Sequence, residues 1–486
     1  MPSDERTRAR RTPWADLLRS IPISWRDFSL AGEQFAARRV FSPRLHLIMP
    51  VLAVLSALVG YLAFPVGRGM DSWGLYLGTL AIVCMSWTFI LASRLNVVHA
   101  LFGGFDRSYI WHRWFAIVAV VALLFHADAD NDARVALLPF GENLEDIGKD
   151  LAEVAEILVI ALIMLSILRA LPYGLWKLTH KFMIIPYAFS CFHFITAETT
   201  FPWVSGWGLW FGVIMAAGVL SYLYRLLWVD LALSDFRYRV SRLETTSDTF
   251  TGLHLTPVGR RRLRARAGQF AFVRSSVSPW AEPHPFSIAS TPTDADLSFF
   301  ARVTGDWTAT LGSSLSVGDL VTLSGPHGNL EVVAGCDRAH IWVAAGSGIT
   351  PFLSVGDVLA TLATPPRLIY SFRGVATAIG LDTVRAWRDR GLIDLIEHDS
   401  HTQGRLTMGT VHALIAGDLA AGTPPRRLHV AVCGPFELIR GVQKTARGLG
   451  IRSVDFEVYD YRSGYGPNLT PVTRAVLDRL TAALRR

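Results

Sequence analysis

Four histidines stand in two apolar stretches: His112 and His126 in one, His180 and His193 in the other. The members of the two pairs are 14 and 13 residues apart. At about 1.5 Å of rise per helical residue, each pair is separated by roughly 20 Å along a helix axis. A bilayer's hydrocarbon core is about 30 Å thick, so each helix would offer one imidazole towards either face. Two such helices side by side would make two stacked sites, each with one His from each helix. Two axial imidazoles on a planar metal macrocycle is haem ligation, and the spacing predicts two haems, one above the other. A lone intramembrane His more often bonds a neighbouring helix; four, paired at nearly equal offsets, read as ligands. At about 3.6 residues per turn an offset of 14 nearly returns to the same helix face, whereas 13 falls short. Pro186 lies between His180 and His193, and a kink there is expected to re-aim one imidazole.

A second set of chemistry-bearing residues lies far downstream. The apolar run Ile341–Ala345 leads into Gly346-Ser347-Gly348-Ile349-Thr350-Pro351. Glycines at a strand-to-helix turn let a diphosphate approach the backbone N–H groups of a helix N-terminus. A Gly-x-Gly alone is weak; the strand before it and the helical stretch after it strengthen the reading.

The elements that must hold these residues differ between the two halves. The chain has 486 residues, 51% of them hydrophobic, and a formal charge of +7, with a mean hydropathy of +0.33. That is too apolar for an ordinary soluble enzyme, and the excess sits in the first half. No basic stripe interleaved with aromatics is present, so nucleic acid is excluded as a partner. The four cysteines, Cys84, Cys191, Cys336 and Cys433, have no metal-type spacing and fit a reducing compartment for the soluble half.

Six spans are expected near 45–64, 73–93, 109–127, 152–170, 181–198 and 203–228. The loops alternate in charge: Arg94 and Arg107 in one, Asp128, Asp130, Asp132, Glu142, Glu145, Asp146 and Asp150 in the next, then Arg169, Lys177 and Lys181. The positive-inside rule places both termini in the cytoplasm and the acidic loop outside, in a multi-pass protein of the plasma or inner membrane. The third and fifth spans then run parallel, pairing His112 with His180 on the inner side and His126 with His193 on the outer. Arg94, Arg113 and Lys177 fall at the inner depth, where propionates and lipid headgroups are both open as partners. The first 44 residues read equally as a surface-lying helix around Trp14, Leu17, Leu18 and Ile21 or as a basic arm. After Asp230 short alternating runs predict an antiparallel barrel, and then strands alternating with helical stretches predict a parallel α/β domain.

Several motifs in order resemble the NADPH oxidase and ferric reductase superfamily. His284-Pro285-Phe286-Ser287-Ile288-Ala289-Ser290 looks like its flavin-binding signature, as does Arg302-Val303-Thr304-Gly305-Asp306-Trp307-Thr308. Gly325-Pro326-His327-Gly328 is similar to its Gly-Pro-aromatic-Gly turn. The Gly346–Pro351 loop and Cys433-Gly434-Pro435 resemble its nicotinamide-nucleotide signatures, and Phe105-Asp106-Arg107 with His112 its approach to the third span. The resemblance covers roughly residues 45–460. It implies a six-span α-helical membrane bundle, then a flavin-binding antiparallel β-barrel, then an α/β nucleotide-binding domain. The corresponding boundaries are a cytoplasmic arm 1–44, a bis-haem domain 45–230, an FAD barrel 235–332, an NAD(P)H domain 336–460 and a tail 461–486.

The resemblance also implies roles. Ser287 would bond the flavin edge, with Pro285 and Phe286 beside it. His284, Arg302, Trp307 and Thr308 would hold the FAD phosphates or ribityl chain, arginine and hydroxyl groups suiting phosphate oxygens. Gly346, Gly348, Thr350 and Pro351 would take the nicotinamide nucleotide, with Cys433, Gly434 and Pro435 beside the nicotinamide where hydride leaves. Arg373 and Arg405 would bind a 2′-phosphate and favour NADPH over NADH. Tyr459 looks like the aromatic that covers the flavin, in place of the more usual Phe. The chain departs from the family by continuing past it, with a helix expected from Thr470-Pro471 and an apolar stripe of Val472, Val476, Leu477, Leu480 and Leu484.

The cofactors expected are two haem b, FAD and NADPH or NADH. A flavin accepts a hydride and releases electrons singly, which suits it to stand between NAD(P)H and haem. The expected function is electron transfer from cytosolic NAD(P)H to an acceptor outside. Oxygen is the first reading; a ferric chelate is the second, and an extracytoplasmic partner protein the third. Animal oxidases of the family carry a second His one turn beyond the outer ligand of the third span, where this chain has Asp130.

Overall fold

The computed structural model describes residues 45–63, 71–129, 140–167, 173–230, 235–246, 250–275, 283–303, 308, 311 and 314–457. The expectations for the arm 1–44, for Asp130, Asp132, Arg169, Trp307 and Tyr459, and for the helix after Thr470 lie outside these residues. The described chain divides into two compact units, one up to Asp230 and one after it.

The first unit is helical: α1 Leu45–Leu58, α2 Asp71–Ala92, α3 Asn96–Phe102, α4 Phe105–Ala127, α5 Glu142–Ile167, α6 Tyr173–Lys181, α7 Ile184–Thr196 and α8 Gly206–Tyr224. Gly103 at φ +84° and Gly104 at φ +132° turn the chain from α3 into α4, a reversal that glycine makes without a steric cost. α4 then runs unbroken through both His112 and His126. Large apolar side chains of α4 and α8, among them Val118, Val121, Phe125, Val213 and Leu220, face outward, as suits lipid contact.

Among the described residues three stretches are long and apolar enough to cross a bilayer: Trp73–Ala92, Arg107–Ala127 and Gly206–Asp230. Ile48–Ala63 is apolar but shorter. Six spans is thus more than length and composition mark out. The fourth stretch falls outside because acidic residues run through the first half of α5, down to Asp150, Glu153 and Glu156, and the fifth because it is two helices. The break between α6 and α7 has a definite cause. Pro186 has no N–H to give the carbonyl four residues back; that carbonyl, on Phe182, accepts from Ile185 N at 2.9 Å instead. The chain therefore turns at Phe182–Met183, just before the proline.

Tyr187 then locks α7 in place. Its hydroxyl meets Ser86 Oγ of α2 at 2.6 Å and donates to Met215 O of α8 at 3.2 Å. Gly218 leaves the room, since a Cβ there would stand 2.4 Å from that hydroxyl. Phe102, Phe115, Leu91 and Phe211 complete the buried core around it.

The second unit begins with six strands: β1 Phe236–Thr246, β2 Phe250–Pro257, β3 Phe270–Ser275, β4 His284–Ser287, β5 Leu297–Arg302 and β6 Leu320–His327. They pair antiparallel in the order β4-β3-β6-β1-β2-β5, and an Ile288–Phe299 bridge joins the two ends of the sheet. Five parallel strands follow: β7 Ala339–Ala345, β8 Arg367–Phe372, β9 Asp394–Asp399, β10 Leu428–Cys433 and β11 Val454–Phe456. Their order is β11-β10-β7-β8-β9. The connections reverse direction between β7 and β10, and ligands of open α/β sheets bind outside the strand ends at such a point.

Candidate functional site

In the helical unit the imidazoles of His112 and His180 lie with ring centroids 6.2 Å apart, and those of His126 and His193 6.4 Å apart. α4 and the α6–α7 pair thus run in the same direction, with the break between α6 and α7 falling between the two sites. These distances allow a fit test for a metal between each pair. A metal accepting one nitrogen of each ring at the ~2.0 Å usual for metal–imidazole bonds would set the centroids roughly 6 Å apart. Both pairs meet that figure.

The outer ring nitrogens support the same donor set. His112 Nδ1 donates to Thr88 O at 2.9 Å and His126 Nδ1 to Gly74 O at 2.7 Å, both carbonyls of α2. A carbonyl only accepts, so Nδ1 carries the proton and Nε2 keeps its lone pair. Ligating histidines characteristically give their other N–H to such an acceptor. His180 Nδ1 lies 3.1 Å from Ser166 Oγ of α5, and Trp176 stacks on the His180 ring at 5.4 Å. The residues fit a bis-imidazole haem at each level. Around the His112 level, Lys181 Nζ is 2.7 Å from Asp230 Oδ2, and Arg225 Nε 3.2 Å from Asp230 Oδ1.

In the second unit, two of the sequence motifs meet at the switch point of the sheet. Gly346 and Gly348 follow β7, and Cys433 ends the neighbouring strand β10, in register with Ala344. A Cβ on Gly348 would stand 2.2 Å from Cys433 O, so only glycine lets the two loops touch. Gly346 is at φ +54°. A Cβ there would lie 3.8 Å from Arg302 Nη1 at the end of β5, so the barrel's arginine reaches the glycine loop. Thr350 Oγ1 donates to Ser347 O at 2.7 Å and Pro351 opens the short helix that follows. Gly434 and Pro435 lead into helix Phe436–Gly448, which Pro435 caps.

His284, Pro285, Phe286 and Ser287 form β4, each opposite a β3 residue from Val273 to Phe270. Thr308 is half-buried. Arg373 and Arg405 are exposed, in the loops after β8 and β9. Those loops are tied by one carboxylate. Asp399 Oδ1 accepts from Gly374 N at 2.8 Å and from His401 N at 2.9 Å, and these bonds hold its pKa below the usual carboxylate range.

The structure adds a residue two positions before Tyr459. Glu457 is buried, and a Cβ on Gly328 would stand 2.6 Å from its Oε1 and 2.9 Å from the Phe270 ring. Phe270 is the strand partner of Ser287. Burial, with the Glu457 charge added, pushes the Cys433 thiol well above its ordinary pKa. Ser287 is thus linked to Glu457 through Phe270 and Gly328, and the Glu457 charge acts on Cys433.

Comparison with known proteins gives two family matches. Residues 77–191 match the ferric reductase like transmembrane component, and residues 239–334 match an FAD-binding domain. The chain is similar to the flavohemoprotein of Chromobacterium violaceum, 25% identical over 47% of this chain and 61% of that one. It is similar to the probable cell surface ferric reductase kap2 of Aspergillus oryzae, 26% identical over 56% of this chain and 39% of that one. Dual oxidase 1 of Caenorhabditis elegans is 28% identical over 37% of this chain and 12% of that one. The chain spans less than two thirds of the length of the curated relatives it matches first. Among solved structures, a ferredoxin NADP+ reductase from Neisseria gonorrhoeae superposes with a TM-score of 0.40 and 16% identity, over 46% of this chain and 98% of that one.

Proposed function

We propose that this chain, which falls in the NADPH oxidase and ferric reductase superfamily, carries electrons from cytosolic NAD(P)H through FAD and two stacked haems to an acceptor on the far side of a membrane. On this reading the chain crosses six times with both termini in the cytoplasm, and the His112/His180 level is the inner one. The observation that carries the reading is the pair of imidazole separations, 6.2 and 6.4 Å, at two levels of one helix bundle.

FAD, when bound, supplies the conversion of a hydride into single electrons, and haem supplies one-electron carriage. The protein's part is placement. His112 with His180 and His126 with His193 would hold the irons, and the Nδ1 protons of His112, His126 and His180 lie on fixed acceptors, so that their Nε2 would face the metal. The Gly346–Gly348 turn would admit the nicotinamide nucleotide's diphosphate to backbone N–H groups, Arg302 would hold the FAD phosphates, and Arg373 and Arg405 would hold a 2′-phosphate. Ser287 would bond the flavin edge. Cys433 stays a neutral thiol beside the nicotinamide, where a thiolate would compete as a nucleophile. No side-chain nucleophile or general base is needed.

Oxygen is the first reading for the acceptor. A ferric chelate is the second, favoured by the ferric reductase relative, which matches more of this chain than the dual oxidase does. A reduced-minus-oxidised visible spectrum of the purified protein tests the haem pairs: two b-type haems per chain are expected, and none would overturn the reading. Superoxide dismutase-sensitive cytochrome c reduction against ferric-chelate reduction, at matched NADPH, decides the acceptor.

A further inference from the structure

We infer that Ser166 is a positioning residue for the His112/His180 site, fixing the tautomer of His180 and making a haem held there harder to reduce than it would be without that hydrogen bond. The inference rests on the haem reading above and goes beyond it, to what sets the potential at one of the two levels.

Ser166 Oγ lies 2.7 Å from Leu162 O and 3.1 Å from His180 Nδ1. A hydroxyl has one hydrogen, and a carbonyl can only accept. The Ser166 hydrogen therefore goes to Leu162, and the oxygen must accept from His180. That leaves Nδ1 protonated and the Nε2 lone pair free. The Ser166 carbonyl also accepts from Trp176 Nε1 at 3.2 Å, and the Trp176 ring lies 10° from parallel to the His180 ring. One residue thus governs both the proton and the tilt of the ligand.

Donating the outer N–H makes an imidazole a stronger base towards its metal, which favours the more highly charged ferric iron and makes reduction harder. At this site both rings donate: His112 to Thr88 O at 2.9 Å, and His180 to Ser166. At the other site His126 donates to Gly74 O at 2.7 Å, and His193 has the Gly148 backbone as its hydrogen-bond neighbour. The hydrogen would stay on His180 Nδ1 in either oxidation state of the iron, because Ser166 Oγ is a neutral acceptor.

The test is a potentiometric titration of the full-length, haem-loaded protein, followed in the visible spectrum. In wild type, two components are expected. Ser166→Ala should move one component towards easier reduction by up to about tenfold in equilibrium constant, 59 mV for one electron, and leave the other in place. Ser166→Thr, which keeps the hydroxyl, should restore it. In a His126→Leu background, where one haem remains, Ser166→Ala should give the same shift. If Ser166→Ala binds fewer haems, Ser166→Cys decides, since a thiol accepts more weakly than a hydroxyl: a smaller shift in the same direction supports the inference, and an unmoved potential overturns it. Two bound haems with both potentials unmoved, or moved together, also overturn it. A wild-type protein without haem overturns the haem reading itself, a result distinct from either.

Discussion

The imidazole of His126 lies against the bare Cα of Gly78: a Cβ there would stand 2.9 Å from Cε1 and 3.1 Å from each ring nitrogen. Gly74, one turn earlier on α2, supplies the carbonyl that accepts from His126 Nδ1. The two glycines make a shallow groove in which the ring is held rather than merely tolerated. Gly78→Ala should force the ring out of that groove at a cost of about 1–3 kcal/mol, as overpacking does. The expected outcome is a fall in haem content from two per chain towards one, with a lowered unfolding temperature. Gly212→Ala on α8, where a Cβ would meet nothing within 4 Å, should leave both unchanged.

His126→Leu addresses the order of carriers. If electrons pass from His112/His180 to His126/His193, this variant should lose more than nine tenths of external acceptor reduction, because its last metal station is gone. NADPH-driven bleaching of FAD in the same protein should stay within about twofold of wild type, since the nucleotide crevice belongs to a separate compact unit. Stopped-flow absorbance at the flavin band measures one step, and acceptor reduction by membranes the other. Loss of both would place the histidine elsewhere in the sequence of events.

The His pairs were legible because helical rise converts residue spacing into depth, and Pro186 foretold a break because its missing N–H is a local property of the chain. Tertiary partners were not legible in the same way. Ser166 reads in sequence like any small residue in an apolar helix, and only its 3.1 Å approach to His180 separates it from the others. Glu457 sits two residues before Tyr459 and looks like a strand-end charge. Its burial against Gly328 depends on a residue more than a hundred positions away. Length and composition mark out three of the six expected spans among the described residues. Hydropathy judges each helix alone, whereas α5 carries acidic residues through its first half and the α6–α7 pair is divided by a proline.

Asp399 offers a test of nucleotide preference that leaves both arginines in place. Its carboxylate joins the loop after β8, which carries Arg373, to the loop that carries Arg405, through bonds of 2.8 and 2.9 Å. Asp399→Ala should let the two loops part and reduce the ratio of kcat/KM for NADPH over NADH by about tenfold, the equivalent of roughly one charge-assisted hydrogen bond. Asp399→Asn, which keeps one acceptor oxygen, should lose less. Steady-state kinetics with the two nucleotides gives the ratio directly, and an unchanged ratio would detach these loops from the 2′-phosphate.

A surface network in the same domain predicts a small pH dependence. Arg385 grips Glu397 with two bonds of 2.9 and 2.6 Å, and Arg388 adds a third at 3.2 Å. The Arg385 bond comes first among the causes that hold the Glu397 pKa below its ordinary value. A depressed carboxylate contributes stability above its unfolded pKa of about 4.3, and loses it as pH falls through the folded value. Because the group is partly exposed, solvent screening limits the contribution to at most about 1 kcal/mol. Glu397→Gln should therefore lower urea stability slightly at pH 7 and by less at pH 3. A loss equal at both pH values would mean that packing, not charge, is what the substitution removes.

Cys433 and Glu457 give the sharpest chemical contrast. Burial and the neighbouring carboxylate raise the Cys433 pKa, so the folded thiol stays neutral where an ordinary one, near 8.5, would ionise. The sign follows from linkage. The folded state holds this proton more tightly, so its contribution to stability is complete below about pH 8.5 and erodes above it as the unfolded thiol ionises. Iodoacetamide reacts with thiolate, so between pH 7 and 9 it should label the exposed Cys336 and spare Cys433, with NADPH oxidation retained. Glu457→Gln removes the charge and should move the Cys433 pKa downward, making labelling at pH 9 faster. Cys433→Ser should slow FAD reduction by up to about 100-fold if the sulfur positions the nicotinamide, the scale on which small misplacements act. Mass spectrometry of the alkylated protein and stopped-flow reduction by NADPH measure the two effects separately. Rapid labelling of Cys433 at pH 7 would contradict the burial on which both depend.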